Sequence, residues 1–371
     1  MARIFEPVAL GPLALQNRLV RSATWEAMAE HDGTVTDRLV ALYDALGAGG
    51  VGLIISSYLT VHPQGRQNPD QIGAHDDGHV PGLARLAQAV HDHGGKLVGQ
   101  IVHCGGQSTR AASGGLDPLA PSAVESPGYP ERPTELTVDQ IGEIIASFAA
   151  AAGRIQQAGF DGVQLHGAHG YLISEFLSPS RNQRSDGYGG SLDHRCRFAL
   201  EVVEAVRGVV GPDYPVLIKL NAHDFLPGST TEEDSTYLAK RLVGAGIVAI
   251  EVSGGTPGSG KKLGAARPGI LTAADEAYFL PQAKAIRAAL PDTPLILVGG
   301  VRSLEVMETI LADGVADAFA MSRPLIREPG LPARWQGGDL APAACISCLG
   351  CFRPAMTGEG IRCMQAHPDP A

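Results

Sequence analysis

The chain is predicted to fold as an α/β protein, a closed (β/α)8 TIM barrel with a short Cys-rich C-terminal extension. Three observations carry this. Eight short, β-branched and apolar runs recur along the 371 residues, each followed by a longer helical pattern. The runs are apolar on both faces, as strands of a parallel sheet covered by helices must be. The rival doubly wound sheet usually carries a Gly-rich dinucleotide fingerprint after its first strand. Here Ser22-Ala23-Thr24-Trp25-Glu26 follows instead, with no G-x-G-x-x-G.

The strands are expected at residues 18–23, 51–57, 96–103, 162–166, 216–221, 249–253, 295–299 and 318–322. Helices are expected at 36–47, 80–93, 137–158, 192–210, 231–245, 274–290, 303–312 and 324–335. Thr230, Thr231, Thr272 and Ser303 sit where N-caps belong, and Gly94, Gly159 and Gly246 just past helix ends. Residues 1–337 form the barrel in this reading and residues 338–371 the extension.

Composition agrees. With 44% hydrophobic and 18% charged residues the chain can bury a sizeable core. Its 47 Gly and 26 Pro imply many turns without reaching the composition of a disordered chain. A net charge of −10 argues against nucleic acid as a partner, since that surface needs an excess of Lys and Arg. No apolar run reaches the ~18 residues of a membrane span, and the N-terminus lacks a secretory apolar segment. A cytoplasmic protein acting on a small-molecule substrate is the expectation. The sequence leaves the oligomeric state open, a homo-oligomer included.

In such a barrel, chemistry sits at the carboxyl ends of the strands. The fourth run ends in His166-Gly167-Ala168-His169-Gly170-Tyr171. If the glycines turn the chain there, two imidazole N–H groups can hold a carbonyl oxygen, and a phenol nearby can deliver a proton. The bland alternative is a His pair making turn hydrogen bonds. The last two runs end in Gly299-Gly300 and Ser322-Arg323, where barrels commonly build phosphate sites. Lys219 lies inside an apolar strand without an acid of its own. It needs either a carboxylate from a neighbouring strand or the edge of an anionic cofactor. The segment 255–262, Gly-Thr-Pro-Gly-Ser-Gly-Lys-Lys, nearly spells a P-loop but lacks its final Ser/Thr, and reads as a mobile loop.

The run from His166 through Ser178-Pro-Ser-Arg-Asn182 to Gly189-Gly-Ser191, with Arg195-Cys-Arg-Phe198, resembles the signature of the Old Yellow Enzyme family of FMN-dependent NADH:flavin oxidoreductases. Phe5-Glu-Pro7, Gln100-Ile-Val-His103, Pro118-Leu-Ala-Pro-Ser122, Val298-Gly-Gly300 and Ser322-Arg-Pro324 extend the resemblance over about residues 4–336. It implies an ene-reductase taking hydride from NADH or NADPH through FMN to an activated alkene. Ser22, Ala23 and Thr24 would line the flavin, with the Tyr58 backbone and Gln100 at its polar edge. Lys219 would stand by N1/O2, and Gly299, Gly300, Ser322 and Arg323 would hold the phosphate. His166 and His169 would grip the substrate carbonyl, and Tyr171 would protonate Cα. The chain departs from the commoner pattern at Trp25, at Ser57 and in His103-Cys104-Gly105-Gly106-Gln107, where the usual His-x-Gly-Arg loses its arginine, and these positions bear on substrate preference.

Of six cysteines, Cys345, Cys348, Cys351 and Cys363 crowd the last 27 residues. Without an export signal, a metal or cluster is the stronger reading than disulfides. The spacing resembles the cluster segment of iron–sulfur relatives such as 2,4-dienoyl-CoA reductase, one residue shorter between the second and third cysteines. Four thiolates suit [4Fe–4S] or Zn²⁺, with free thiols as the alternative. Two rival functions remain beside alkene reduction: flavin-dependent amine oxidation or demethylation, and a non-catalytic flavin- or metal-binding scaffold.

Overall fold

A computed structural model describes residues 2–366; positions 367–371 of the expected extension lie outside the described residues. Eight parallel strands close a barrel in chain order. They are β1 (Leu19–Arg21), β2 (Leu53–Thr60), β3 (Lys96–Val102) and β4 (Gly162–Gly167), then β5 (Val216–Asn221), β6 (Ala249–Ser253), β7 (Leu295–Val298) and β8 (Ala318–Met321). β8 pairs back onto β1, with Phe319 opposite Leu19, so the barrel has no free edge.

The connecting helices include α1 (Asp37–Ala48), α2 (Val80–His91), α3 (Val138–Gln157), α4 (Leu192–Val210), α5 (Glu232–Gly244), α6 (Leu280–Ala289) and α7 (Leu304–Ala312). Thr231 caps α5 in a reciprocal box with Asp234. Two expected helices differ. The one expected from residue 274 starts at Leu280, because Thr272 and Asp275 close a separate 3-10 turn and Pro281 is tolerated only in a first turn. The one expected at 324–335 is two pieces, α8 (Arg323–Arg327) and α9 (Leu331–Gln336), interrupted at Pro329-Gly330. The segment read as a mobile loop holds a 3-10 turn, Pro257–Ser259, and one helical turn, Gly260–Leu263.

The interior has two layers. An N-terminal hairpin, Val8–Leu10 with Leu13–Leu15, plugs the barrel floor: Leu10, Leu13 and Leu15 pack on Val20, Leu53, Val98, Leu217 and Ile296. Outside the barrel, the other strand faces pack against the helices. With the floor closed, the open end of the barrel is the carboxyl end of the strands. The Cys-rich tail is tied to the barrel there: Ile361 N–H donates to Glu26 O at 2.7 Å, and Ala343 N–H to Arg302 O at 2.8 Å. Among the described residues no helix is long and apolar enough to cross a membrane.

Candidate active site

A cleft of about 280 Å³ opens at the carboxyl ends of the strands. Its wall includes Ser22, Ala23, Thr24, Tyr58, Gln100, His166, His169, Tyr171, Lys219, Gly300, Ser322 and Arg323. Of the residues expected at the cofactor and substrate, Gly299 alone is absent from the wall; its carbonyl accepts from Tyr278 N–H at 2.9 Å.

Register builds the cleft floor. Gln100 on β3 lies opposite Gln164 on β4, and Lys219 on β5 opposite Glu251 on β6. Lys219 Nζ donates to Glu251 Oε1 at 3.0 Å and to Ser22 Oγ at 2.8 Å. The partner that Lys219 required is therefore a neighbouring strand's carboxylate. Gln164 Nε2 donates to Glu251 Oε2 at 3.0 Å, and Gln100 Nε2 to Gln164 Oε1 at 2.7 Å. Gln100 Oε1 is left buried without a partner, an acceptor for an N–H at the cleft.

β2 carries a bulge between Ile55 and Tyr58. The extra residue reverses the alternation of side chains and turns Tyr58 into the cleft. Ser56 Oγ fills the gap in the ladder, accepting from Gln100 N–H at 3.1 Å. Ser57 N–H donates to Tyr43 Oη at 2.9 Å. The buried Glu26 hydrogen-bonds to both Ser57 and Tyr43, and burial lifts its carboxyl to about 7.

β4 delivers the imidazole pair. His169 takes a left-handed φ of 61°, an uncommon conformation for a non-glycine residue. Asn221 Oδ1 holds its N–H at 3.2 Å, and Gln107 Nε2 donates to its carbonyl at 2.8 Å. The two imidazole rings then meet edge to face, 5.1 Å between centroids. Tyr171 stands 4.7 Å from His166 in the same manner. His166 Nδ1 accepts from Ala168 N–H at 3.3 Å, so Nε2 carries the proton and is free to donate. His169 Nε2 is 2.8 Å from Ser253 Oγ.

Burial, then the charges of His169 and Lys219, holds His166 well below its ordinary range; burial and Lys219 take His169 down to about 3. Both rings are therefore neutral at physiological pH, each with one N–H and no charge. Burial pushes the Tyr171 phenol well above its ordinary value, which keeps its proton in place.

The turn after β7 is sterically tight. Gly299 has φ 124° and Gly300 φ 79°; a Cβ on Gly300 would stand 2.9 Å from Tyr278 Cε1. Arg323, buried beside it, donates through Nη1 to Arg267 O at 2.8 Å. Ser322 Oγ lies 2.7 Å from Thr24 Oγ1.

Three features were not apparent from the sequence. Gln67 accepts the hydroxyls of Tyr58 and Tyr171. Phe352 brings the tail to the wall of the cleft, which Trp25 lines from the barrel. The tail cysteines share one small pocket with Arg323. Contrary to the expected metal site, among the described residues no three His, Cys, Asp or Glu are grouped to hold an ion. The thiols face differently: Cys351 and Cys363 are buried while Cys348 is exposed. Burial takes the Cys351 thiol up to about 11.

A parallel barrel whose mouth gathers two positive-φ glycines, a buried arginine, a buried lysine and a neutral imidazole pair has the form of a barrel enzyme. Comparison with known proteins makes this particular. The chain belongs to the NADH:flavin oxidoreductase / NADH oxidase family, which matches residues 3–339. It is 39% identical over 352 residues to an NADH oxidase of Thermoanaerobacter brockii, covering 94% of this chain and 53% of that protein. It is 34% identical over 329 residues to an NADPH dehydrogenase of Clostridium acetobutylicum, covering 88% of this chain and 92% of that one. The chain thus spans about half the length of the first relative and nearly all of the second. A solved 2-naphthoyl-CoA reductase in complex with 2-naphthoyl-CoA superposes with a TM-score of 0.90 at 30% identity, over 99% of this chain and 57% of that one.

The donor set fits FMN. The orphaned Gln100 oxygen suits an N–H at the polar edge of an isoalloxazine, and Lys219 a ring edge that gains negative charge. The Gly300–Arg323 cradle suits a terminal phosphate.

Proposed function

We propose that the protein is an FMN-dependent NAD(P)H oxidoreductase that reduces activated alkenes of the α,β-unsaturated carbonyl class. FMN, when bound, supplies hydride transfer between the reduced nicotinamide and the alkene Cβ. Ser22, Ala23, Thr24, the Tyr58 backbone, Gln100 and Lys219 hold its ring system, and Gly299, Gly300, Ser322 and Arg323 its phosphate. The observation that carries the reading is the free Nε2–H of neutral His166 beside His169 and the Tyr171 phenol, on the same cleft as Lys219. His166 and His169 donate to the substrate carbonyl and stabilise the charge that develops on it. Tyr171 delivers a proton to Cα. The 2-naphthoyl-CoA bound by the structural neighbour is itself a conjugated carbonyl compound.

Anaerobic stopped-flow tests this. NADH or NADPH should bleach the flavin absorbance, and a cyclic enone should restore it. Bleaching without recovery by any enone rejects the alkene class. Restoration of activity toward amines instead would favour the second reading, amine oxidation, which the aromatic faces of Trp25, Tyr58 and Tyr171 support as a cage for an ammonium group.

The reading extends to the tail, whose four cysteines around one pocket match the donor chemistry of an iron–sulfur cluster or zinc. The four thiols are not grouped as ligands among the described residues, so binding there requires the tail to rearrange. Protein prepared without air or chelators should carry iron with sulfide, or zinc, and should lose it on Cys348→Ala while FMN stays bound. Metal-free parent protein rejects this part.

A further inference from the structure

Tyr58 and Tyr171 send their hydroxyls to one acceptor. Tyr58 Oη donates to Gln67 Oε1 at 2.8 Å, and Tyr171 Oη to the same oxygen at 3.1 Å. The two phenol oxygens are therefore no farther apart than these two lengths end to end. The rings are 5.9 Å apart at 36°. Both are buried, and both line the cleft. Gln67 is fixed in this orientation because its Nε2 donates to Gln107 Oε1 at 3.5 Å and its Oε1 accepts from Asn68 Nδ2 at 3.4 Å, contacts that a flipped amide would lose. Asn68 Nδ2 donates to Tyr58 Oη at 3.2 Å, beside the same Gln67 oxygen.

This arrangement has a consequence once Tyr171 gives up its proton. The phenolate left behind is buried, and an unpaired buried charge is costly. Gln67 presents it with an acceptor oxygen, which offers no relief. The titratable groups facing Tyr171 are Tyr58, Tyr129, Cys104 and His166. Tyr129 already takes the Gln67 amide, and His166 Nε2–H is turned to the carbonyl in the proposed reaction. The Tyr58 hydroxyl shares its present acceptor with Tyr171 and needs only to rotate.

We propose that Tyr58 is the positioning and proton-returning partner of Tyr171: its hydroxyl turns from Gln67 to the Tyr171 phenolate, donates to it, and passes its proton across. The inference rests on the reading of Tyr171 as the acid. In the step, the Tyr171 O–H bond breaks as a C–H bond forms at Cα, and the electron pair for the new bond at Cβ comes from the reduced nicotinamide. The Tyr58 O–H bond then breaks as the Tyr171 O–H bond reforms. The charge passes to Tyr58, where Asn68 Nδ2 donates to it, and water restores the proton.

A double-mutant cycle tests the partnership. A hydrogen bond to a charged oxygen is worth about ten- to a hundredfold, so Tyr58→Phe should slow enone reduction by about that factor. Tyr58→Phe combined with Tyr171→Phe should be no slower than Tyr171→Phe alone, because Tyr58 acts through Tyr171. Additive losses, or an unaffected Tyr58→Phe, overturn the proposal. A second readout is independent of any reaction. With 3,5-difluorotyrosine placed at position 171, ultraviolet titration reads the ionisation of that phenol directly. Removing the Tyr58 hydroxyl should raise its midpoint by about one to two pH units. No rise refutes the contact even if enones are reduced. A clear rise in a protein that reduces no enone keeps the contact and rejects the proposed reaction instead.

Discussion

Replacing Arg323 by Ala tests the cofactor assignment without relying on turnover. Arg323 is buried at the mouth, on the wall shared with Gly300 and Ser322. One of its nitrogens is committed to the Arg267 carbonyl at 2.8 Å and the side chain also hydrogen-bonds to Tyr278, which fixes a guanidinium that carries five N–H donors in all. A phosphate there gains a charge-assisted hydrogen bond worth about 1.5–3 kcal/mol. Loss of the side chain should therefore weaken FMN about ten- to a hundredfold. Titrating apoprotein into FMN and following the quenching of flavin fluorescence gives the dissociation constant directly. Arg323→Lys should fall between the two, since it keeps charge but loses the planar fork. A circular dichroism spectrum identical to the parent's confirms that the barrel is intact. Unchanged FMN affinity in a folded Arg323→Ala protein refutes the phosphate assignment.

Tyr171→Phe should slow the alkene half-reaction by about 10²–10⁴, the usual contribution of a positioned acid; parental rates in stopped-flow would place the proton source elsewhere. Lys219→Met strands the fully buried Glu251, so the apoprotein should lose about 3–5 kcal/mol in urea unfolding, with part recovered by adding Glu251→Gln. Equal stability of the single variant would show that Lys219 does not neutralise Glu251. His166 and His169 have lowered folded pKa values, so their stabilising contribution is complete above the unfolded value and is lost as pH falls below it. From about pH 6.5 downward the unfolded chain takes up two protons that the folded state refuses, worth up to about 2.7 kcal/mol per pH unit. The double variant with Gln at both positions should show a correspondingly shallower acid slope; an unchanged slope would mean the rings are charged when folded.

The parallel strands were legible because burial on both faces writes continuous apolar runs such as that around Lys219. The strand ends were legible because a buried barrel tolerates polar residues only at its mouth. What stayed hidden depended on register. Glu251 lies 32 residues beyond Lys219 in sequence, and only the alignment of β5 with β6 sets them opposite. The Tyr58 side chain was obscured by the bulge, since strict alternation from Ile55 would point it away from the cleft. Thr272 gave a sound cap signal for the wrong element, and Pro281 was the residue that should have moved the helix start. The tail's approach to the cleft through Phe352 left no local signal, because it depends on contacts with Glu26 and Arg302 more than forty positions away.

The polarity of the cleft floor follows from a single carboxylate. Glu251 can only accept, so the Gln164 amide must turn its nitrogen toward it. That choice leaves the Gln164 oxygen facing Gln100, which must answer with its own nitrogen. The Gln100 oxygen is then forced toward the cleft as an unpaired acceptor. Along the other arm, the same carboxylate accepts from Lys219 and Ser22 and so holds the ammonium at the floor. One buried acid thereby presents an acceptor at one edge of the cleft and a cation at the other. An isoalloxazine ring, with its N–H beside a carbonyl edge that gains negative charge, is complementary to that pair. An aromatic core of appropriate width lacking this polar edge would leave the Gln100 oxygen buried and unpaired, a cost of about 1–3 kcal/mol against it. In the proposed site, selectivity for the cofactor would originate in Glu251, a strand residue that does not line the cleft.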